Sequence, residues 1–488
     1  MKFFRVILLS ALVSTPSYAN DIQRLISTMQ SNTPLINDLQ QLTDEIGGRL
    51  TGSEANNHSV DWALSKFKQA KVTANKEYFQ MPRAWIEHQA KGKVTGQGIE
   101  FTMQIATMPF TYTTAESGLN AEIVDLGRAQ PSAFAAPEKL KNKWLLVETA
   151  ILDDKAGIHG LFQEYIDFAE IERQALDAQA TGIIYMSSRA KNLLYRHLPS
   201  TGADNKLPII VIEREKALKI KRLLANNHTL NFNAQLNISN DDAYQTANVI
   251  AEIPGSTHAD EIVLIGAHID SFDMGTGALD NGSNVVLVID IARQIAKLNI
   301  KPKRTIRFAL FNGEEQGLFG SWAYTKQHLN ELDKHVITST IDIGTGKITG
   351  FFTNGRAEVI PLLNKILAPV QTLGPFEQVN VPVVGTDNYD FMVNGVANLV
   401  ANQQDSNYAS NYHAESDTFD KVDQVQLKHN ATIMAAMVLG FANTQHIPWQ
   451  KQNQQQVEAL IDKFDVEASM KTFGVYQGWK NKTRPVRD

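Results

Sequence analysis

The stretch from Glu261 to Glu315 constrains the fold of this chain more than any other part of its sequence. It contains two apolar runs typical of buried strands, one ending at His268 and the other at Phe311, with a helical apolar pattern between them. Both runs are followed by side chains that can bind metal, and in open α/β sheets sites form beyond the carboxyl ends of strands. The sequence therefore predicts an α/β fold with a mixed, mostly parallel sheet sandwiched by helices, and a site at that edge.

Length and composition limit the organisation of the chain and its partners. At 488 residues it is too long for one ordinary core, which favours two domains or a domain with a large insert. The formal net charge of -6 gives no basic surface for nucleic acid, so we expect no nucleic-acid partner. The sequence does not give the oligomeric state and leaves a homodimer open.

The N-terminus has the three parts of a secretory signal peptide. A basic start at residues 1–5 precedes a short apolar run at 6–13, and the small residues Ser17 and Ala19 stand before the expected cut. The apolar run is too short to cross a membrane, so we expect no membrane anchor. An apolar N-terminal helix of the mature fold is the less favoured alternative. The pattern predicts a periplasmic or secreted protein.

The chain has no cysteine. Disulfides and thiolate metal sites are therefore excluded, and any metal must be bound by His, Asp or Glu. An exported protein without disulfides suits a bacterial periplasm or the exterior of the cell.

The polar residues around the two strands meet the requirements of a pair of divalent cations. Each ion needs a histidine and a carboxylate of its own, one carboxylate must bridge both ions, and another must stay free to accept a proton. His268 ends the first strand, and Asp280 follows at a helix start. Glu314 and Glu315 end the second strand, and adjacent residues of an extended segment point in opposite directions. One of them can therefore bind metal while the other acts as a base.

Five motifs in the same order resemble the zinc-dependent exopeptidase family, which includes bacterial double-zinc aminopeptidases and plasma glutamate carboxypeptidase. They are His268-x-Asp270, Asp280-Asn281-Gly282, Asn312-Gly-Glu314-Glu315-Gln-Gly317, Thr340-Ile-Asp342-Ile-Gly344 and Tyr412-His413-x-x-x-Asp417-Thr418. The stretch from His268 to Gly275 and Gly385-Thr-Asp387 are closer to the plasma glutamate carboxypeptidase branch. Asn281 departs from that branch, which often has a second aspartate there, but the ligand set is unaffected.

The resemblance implies a centre with two Zn²⁺ ions per chain. Asp280 would bridge the two ions. His268 and Asp342 would complete the coordination of one ion, and Glu315 and His413 would complete that of the other.

The resemblance also implies three catalytic roles. Glu314 would be the general base that takes a proton from the bridging water and passes it to the leaving amine. Asp270 would orient the site from behind the ligands. Tyr412 would hydrogen-bond the oxyanion of the tetrahedral intermediate.

The remaining parts of the chain are predicted to support this site. From residue 115 to 242 strand and helix patterns follow an order that resembles the protease-associated domain inserted in several exopeptidases, which implies a unit that shapes access to the site. The glycine-rich loop from Gly47 to Ser53 is predicted to be structural. We therefore divide the chain into a signal peptide at 1–19, an N-terminal part of the peptidase domain at 20–114, a protease-associated-like insert at 115–242, the catalytic zinc peptidase domain at 243–447 and a C-terminal tail at 448–488.

Each residue of the motifs has a simpler explanation when considered alone. His268 could be a core histidine, Asp280 a helix N-cap and Glu314–Glu315 a solvated strand end. Asp342 could be a turn residue and Asp417 a cap, but five such coincidences in the order of one site favour the zinc centre. The other histidines considered lack such a context and are predicted to lie on the surface or in the core: His58, His88, His159, His197, His258, His328, His335 and His429.

Four charged residues are candidates for binding the ends of a peptide substrate. A free α-amino group needs a carboxylate, and a free carboxylate needs an arginine or a lysine. The sequence does not decide among the candidates, and surface charge is the favoured explanation for each: Asp387, Asp390, Glu415 and Arg356.

Together these patterns predict a secreted zinc-dependent exopeptidase, an aminopeptidase or dipeptidase that hydrolyses short peptides through a metal-bridging hydroxide and the base Glu314. The alternatives are a carboxypeptidase of the same family, a binding protein with a vestigial zinc site and a single-zinc glutaminyl cyclase. The complete ligand set argues against the last two. The sequence gives neither the preferred side chain nor the metal, since His/carboxylate sites accept zinc, cobalt and manganese.

Overall fold

A computed structural model of the chain describes residues 18–483. Residues 1–17 of the predicted signal peptide therefore lie outside the described residues, and the predicted tail is described as far as residue 483. In this range no helix combines the length and the apolar character needed to span a membrane.

Strands and helices follow one another along the described residues. The strands are β1 (Thr73–Met81), β2 (Ala84–Gly96), β3 (Ile99–Thr107), β4 (Leu119–Asp125), β5 (Trp144–Val147), β6 (Gly182–Met186), β7 (Ile209–Ile212), β8 (Asn231–Asp241), β9 (Tyr244–Ile253), β10 (His258–His268), β11 (Arg304–Phe311), β12 (His335–Thr340), β13 (Ile348–Phe352) and β14 (Asn398–Gln403). The helices are α1 (Tyr18–Met29), α2 (Leu35–Gln40), α3 (Glu54–Gln69), α4 (Gly157–Asp177), α5 (Arg214–Ala225), α6 (Ser283–Lys297), α7 (Phe319–Gln327), α8 (Ile360–Leu367), α9 (Asn388–Val393), α10 (Tyr408–Asn411), α11 (Gln424–Asn443), α12 (Gln454–Lys463), α13 (Val466–Thr472) and α14 (Tyr476–Lys480).

The first of two sheets has the strand order β1-β9-β11-β10-β12-β14-β13 in the described chain. Its central strands β11, β10, β12 and β14 are parallel, and the crossover helices α6 and α7 connect β10 to β11 and β11 to β12. The pairs β1–β9, β9–β11 and β13–β14 are antiparallel. The predicted mixed α/β fold is confirmed, but the sheet is parallel only at its centre and not in most of its pairs.

Alternate residues of the central strands enter two different apolar cores. In β10, Val263 and Ile265 pack with α3, α6 and α11, whereas Ile262 and Leu264 pack with α7 and α9. Successive side chains of a strand point to opposite faces, so a strand that is apolar throughout needs cover on both. Each buried aliphatic side chain of this kind contributes about 1.5 to 3 kcal/mol. The sheet therefore has helices on both faces.

The second sheet closes into a barrel with the order β2-β3-β7-β6-β5-β4-β8. Trp85, Trp144 and Phe232 fill its interior, and the Trp144 and Phe232 rings meet edge to face with centroids 5.4 Å apart. On the outside α4 covers the sheet, where the Phe168 ring stacks on that of Tyr185. The sequence patterns did not predict a closed barrel.

The barrel includes residues upstream of the predicted insert. β2 pairs with β8 over most of its length, and β3 pairs with β7, so the closed sheet begins at Ala84. The insert was predicted to begin at residue 115. The division of the chain into domains stays a prediction.

The C-terminal tail, whose order the sequence left open, forms α12, α13 and α14. Apolar residues of these helices pack with Leu318, Val384 and Met392. The Phe473 ring lies 5.7 Å from the ring of Tyr165 on α4. The tail therefore connects the barrel to the helices of the first sheet.

Candidate active site

Three parallel strands of the first sheet bring the predicted ligands to one edge, because the carboxyl ends of parallel strands lie together. Two further segments complete the group, a wide turn before α6 and the loop after α10. The residues brought to this edge are His268 at the end of β10, Glu314 and Glu315 after β11, Asp342 after β12, Asp280 in the turn and His413 in the loop.

The Asp280 carboxylate lies between the two histidines. Its Oδ1 is 3.1 Å from His268 Nε2, and its Oδ2 is 3.3 Å from His413 Nε2. The Tyr408 hydroxyl donates a hydrogen bond of 3.0 Å to Oδ2. The peptide bond between Asp280 and Asn281 is cis. One carboxylate therefore faces two imidazole groups, one with each oxygen.

A second carboxylate lies beside each histidine. His268 Nε2 is 2.8 Å from Asp342 Oδ1, and His413 Nε2 is 2.9 Å from Glu315 Oε2. His268, Asp280 and Glu315 each offer a ligand atom within 4.8 Å of the others. The buried Glu315 Oε1 has no hydrogen-bond partner among the described residues. The structure thus brings together two groups, each with one histidine and one carboxylate, that share Asp280.

The charges of these groups are strongly coupled. Burial alone would raise the pKa of Asp280, but hydrogen bonds from His268 and His413 hold it well below its usual value. Burial would lower the pKa of His413, but Glu315 and Asp280 raise it to about 9. Burial raises the pKa of Glu315 to about 7 against the opposing effect of His413. In this buried cluster the ionised carboxylates are therefore stabilised by the positive charge of the neighbouring histidines against the cost of burial.

The donor set fits divalent zinc. Buried carboxylates are costly unless they are paired with cations or bind metal, and these carboxylates outnumber the two histidines. Imidazole nitrogen and carboxylate oxygen are normal zinc ligands. The unpartnered oxygen of Glu315 and the double contact of Asp280 fit two neighbouring ions.

Asp270 holds the strand ends from behind the cluster. Its Oδ1 accepts a hydrogen bond from the Glu314 amide and its Oδ2 from the Glu315 amide, each of 3.2 Å. The Thr51 hydroxyl donates to Oδ2 over 2.8 Å, and the Asp270 carbonyl oxygen is 3.1 Å from His268 Nδ1. Asp270 is therefore hydrogen-bonded to His268 and to the amides of both glutamates, and its predicted orienting role stays a prediction.

Glu314 and Tyr412 lie beside the ligand group. Glu314 is buried, and burial, with Asp342 and Glu315 adding to it and His268 opposing it, raises its pKa well above the usual value. The Tyr412 ring stacks on that of His413 with centroids 3.5 Å apart, and its hydroxyl is 3.2 Å from the Tyr165 hydroxyl. The predicted base and oxyanion roles stay predictions.

Two supporting residues received no role from the sequence. Asp417 accepts hydrogen bonds from the amides of Leu279, over 2.6 Å, and Asp280, over 3.1 Å. Arg49, in the glycine-rich loop, donates to the carbonyl oxygens of Gly47, Ile269, Thr276 and Gly277. Asp417 belonged to a motif, so its role could have been suspected, but nothing local marks Arg49. Both residues fix the wide turn that carries Asp280.

The four candidates for binding substrate ends have different surroundings. Arg356 is buried and donates to Glu358 and to the carbonyl oxygens of Gly395 and Gln450, so its proposed recognition role is not supported. Glu415 accepts a hydrogen bond from the Leu194 amide, and Asp390 accepts one from Ser321. Burial raises the pKa of Asp387 to about 8, with His268 opposing and Asp342 adding to the shift, and its Oδ1 has no partner within residues 18–483.

Comparison with known proteins identifies relatives of this chain. Residues 248–438 match the profile of peptidase family M28. Carboxypeptidase Q of Rattus norvegicus is 23% identical over 416 residues, which cover 83% of this chain and 84% of the relative. The crystal structure of a peptidase M28 precursor from Shewanella amazonensis SB2B is 27% identical with a TM-score of 0.80, covering 90% of this chain and 100% of that one. BSAP, a zinc aminopeptidase from Bacillus subtilis, shares the fold, with 21% identity, a TM-score of 0.64 and coverage of 84% and 95%.

Proposed function

Because the chain is a hydrolase of the metallopeptidase class that matches peptidase family M28 over residues 248–438, we propose that it is a secreted two-zinc exopeptidase. It acts as an aminopeptidase or dipeptidase and hydrolyses peptide bonds of short peptides. Secretion is supported by the signal-peptide pattern at residues 1–19.

One observation carries the proposal: the Asp280 carboxylate faces a histidine with each oxygen. His268 and His413 each have a further carboxylate at hydrogen-bond distance, Asp342 for the first and Glu315 for the second. This is the donor set of two ions that share one bridging ligand. In the proposed enzyme, Asp280 and the two histidine–carboxylate pairs would together hold the two ions.

In the proposed hydrolysis each residue of the site has a separate role. Bound zinc supplies Lewis-acid chemistry, which polarises a carbonyl and makes water acidic. Glu314 accepts the proton of the attacking water and passes it to the nitrogen of the leaving amine. Asp270 holds the Glu314 and Glu315 amides in place during this transfer. Tyr412, whose ring stacks on His413, offers its hydroxyl to the oxyanion.

The charges around the ligands support recognition of a free amino end. Asp387 is buried beside the ligand group, and its Oδ1 has no partner in the described chain. Burial raises its pKa to about 8, but the positive charge of a peptide ammonium group beside it would favour its ionised form and so its binding. A free carboxylate would instead need an available cation, and the Arg356 guanidinium is bonded elsewhere.

The barrel and the tail support a restricted entrance, as proposed for the protease-associated-like unit. Tyr165 of α4 lies within 3.2 Å of the Tyr412 hydroxyl and close to the ring of Phe473. A crowded rim of this kind favours short peptides over folded proteins.

The test compares a dipeptide that has a free amino end with its N-acetylated form, each with and without a chelator. We expect cleavage of the free form only, loss of activity on chelation and two zinc ions per chain by elemental analysis. Cleavage of neither peptide in the zinc-loaded protein would contradict the proposal.

A carboxypeptidase is the second candidate, because the relatives include proteins named carboxypeptidase Q. It uses the same zinc ligands and the same base and differs only in the peptide end that it recognises. Equal cleavage of the free and the acetylated dipeptide would favour this candidate over the aminopeptidase.

A further inference from the structure

The barrel places a buried charged group directly behind His413. Glu164 lies on α4, and Arg189 and His197 lie on the segment between β6 and β7. Their side chains are 8%, 0% and 2% exposed. The same segment pairs with the loop that carries His413, because Tyr195 forms a β-bridge with Ala414.

A series of hydrogen bonds leads from the Glu164 carboxylate through His197 to His413, the proposed zinc ligand. Glu164 Oε2 is 3.0 Å from His197 Nε2, and His197 Nδ1 is 3.1 Å from His413 Nδ1. The carbonyl oxygen of Arg196 is also 3.0 Å from His413 Nδ1. The opposite nitrogen of His413, Nε2, faces Glu315 and Asp280.

The positions of the protons follow from the ligand role of His413. A histidine that binds metal through Nε2 carries its proton on Nδ1. That proton can be shared by the Arg196 carbonyl and by a lone pair on His197 Nδ1. His197 must then carry its own proton on Nε2, which is the nitrogen that faces the Glu164 carboxylate. Every donor in this series of hydrogen bonds meets an acceptor.

We propose that Glu164 and His197 are positioning residues for the zinc ligand His413, so that the barrel completes the metal centre. This inference rests on the proposed function, in which His413 binds one of two ions. The Glu164–His197 pair fixes the tautomer of His413 and the direction of its Nε2 lone pair. Partners of this kind commonly tune the affinity of a metal site.

Arg189 extends the same unit to Tyr412. Its Nε donates a hydrogen bond of 3.0 Å to the Tyr412 carbonyl oxygen, and its NH1 lies 3.1 Å from Glu164 Oε2. The Glu164 carboxylate therefore binds both Arg189, which contacts Tyr412, and His197, which contacts the next residue, His413.

The cost of burying these groups argues against a role in packing alone. A carboxylate, a guanidinium and an imidazole lose their hydration in the interior, and apolar residues of similar size often stabilise a fold as well or better. A role in positioning His413 accounts for the charged group at this contact between the barrel and the loop.

The test measures zinc affinity in the full chain by competition with a chelator. His197→Leu is expected to weaken the binding of one of the two ions by about 10-fold to 100-fold and to leave the affinity for the other ion unchanged. His197→Asn is expected to recover most of the lost affinity, because its Oδ1 can accept the proton of His413 Nδ1 as the imidazole does.

His335→Leu is the matched control. His335 is also buried, and it is 2.8 Å from the Tyr324 hydroxyl and 3.0 Å from the Glu331 carbonyl oxygen, but it begins β12 at the end remote from Asp342. We expect His335→Leu to retain both ions with wild-type affinity. Equal losses of affinity in His335→Leu and His197→Leu would overturn the inference.

Two further variants separate the possible failures. His413→Ala is expected to lose one ion, and retention of two ions would overturn both the ligand role of His413 and this inference. If His413→Ala loses the ion while His197→Leu binds both normally, only the inference is overturned. If His197→Leu does not fold, the isosteric Glu164→Gln decides: about 10-fold weaker binding of one ion supports the inference, and wild-type affinity overturns it.

Discussion

At the scale of single residues, contacts from three parts of the chain determine the orientation of Asp280. Asp417 binds its amide, Tyr408 binds one carboxylate oxygen, and the imidazoles of His268 and His413 face the two oxygens. In the proposed function Asp280 would serve two ions at once, so a small rotation of its carboxylate would disturb both. The surrounding hydrogen bonds prevent that rotation.

Glu314→Gln tests the assignment of the base. Glutamine keeps the size of the side chain but cannot accept a proton, so we expect kcat to fall by about 100-fold to 10,000-fold. Zinc content, measured by elemental analysis, should stay at the wild-type level because Glu314 is not a proposed ligand. Glu458→Gln, an exposed change on α12, should retain activity. Wild-type kcat in Glu314→Gln would rule out the base role.

At the scale of elements, a loop near the N-terminus supports a turn more than 200 positions later in the chain. The Arg49 side chain donates to Ile269 over 2.8 Å, to Thr276 over 2.7 Å and to Gly277 over 2.8 Å. Irregular backbone leaves carbonyl oxygens without sheet or helix partners, and a buried carbonyl needs a donor. One guanidinium meets this need for several carbonyls at once.

Arg49→Leu should therefore destabilise the fold. The change leaves several buried carbonyl oxygens without donors, and we expect the free energy of unfolding to fall by at least about 3 kcal/mol. Urea denaturation of the full chain measures this difference. Arg173→Leu, on the exposed face of α4, is the control and should leave stability nearly unchanged. Equal stability of the Arg49 and Arg173 variants would contradict the argument.

The contact between β2 and the segment behind His413 gives a pH-dependent prediction. Glu87 binds the Arg196 guanidinium at 3.1 and 3.2 Å. Burial alone would raise the pKa of Glu87, but Arg196 and Thr107 lower it below the usual 4.5. A carboxylate with a lowered folded-state pKa stabilises the fold above its ordinary pKa, and this stabilisation is lost as pH falls through the lowered value.

Glu87→Gln removes this ionisable group. We expect its Tm to lie below that of the wild type at neutral pH, and the difference to shrink as the pH falls below the ordinary pKa of glutamate and through the lowered pKa of Glu87. Thermal unfolding of both proteins across this range gives the comparison. A Tm difference that is the same at every pH would show that the charge of Glu87 does not contribute.

At the scale of the whole molecule, the barrel and the first sheet meet at the ligand group. The first sheet supplies the strand ends, and the barrel supplies the groups behind His413 and Tyr412. The tail adds Phe473 beside Tyr165 of α4. Occupation of the ligand group should therefore stabilise the chain as a whole.

Removal of metal tests this coupling. The buried carboxylates repel one another without cations, so we expect a chelator to lower Tm and abolish activity, and zinc to restore both. An ion present at 100 times its dissociation constant adds about 2.7 kcal/mol to the free energy of unfolding. Magnesium is the control and should restore little, because it prefers oxygen ligands and water. An unchanged Tm after complete removal of zinc would contradict the coupling.

Local patterns were sufficient for much of the first sheet, whereas the ligand group stays a prediction from the five motifs. The strands that were predicted to end near His268 and Phe311 appear as β10 and β11. Apolar periodicity determines such elements because each must bury its own apolar side. Of the proposed ligands, His268, Glu315 and Asp342 follow strand ends, whereas Asp280 and His413 were selected through motifs that resemble the zinc-dependent exopeptidase family.

The sequence by itself determined the mixed α/β class and the metallopeptidase class, and it selected the residues that we propose as metal ligands. Tertiary structure alone decided the closure of the barrel from Ala84, the support of the turn by Arg49 and the contact between His197 and His413. The physical reason is distance along the chain: the two histidines are 216 positions apart, and no local periodicity relates them. His197 was expected to be an ordinary surface or core histidine, and the pairing of Tyr195 with Ala414 places it behind His413, the proposed metal ligand.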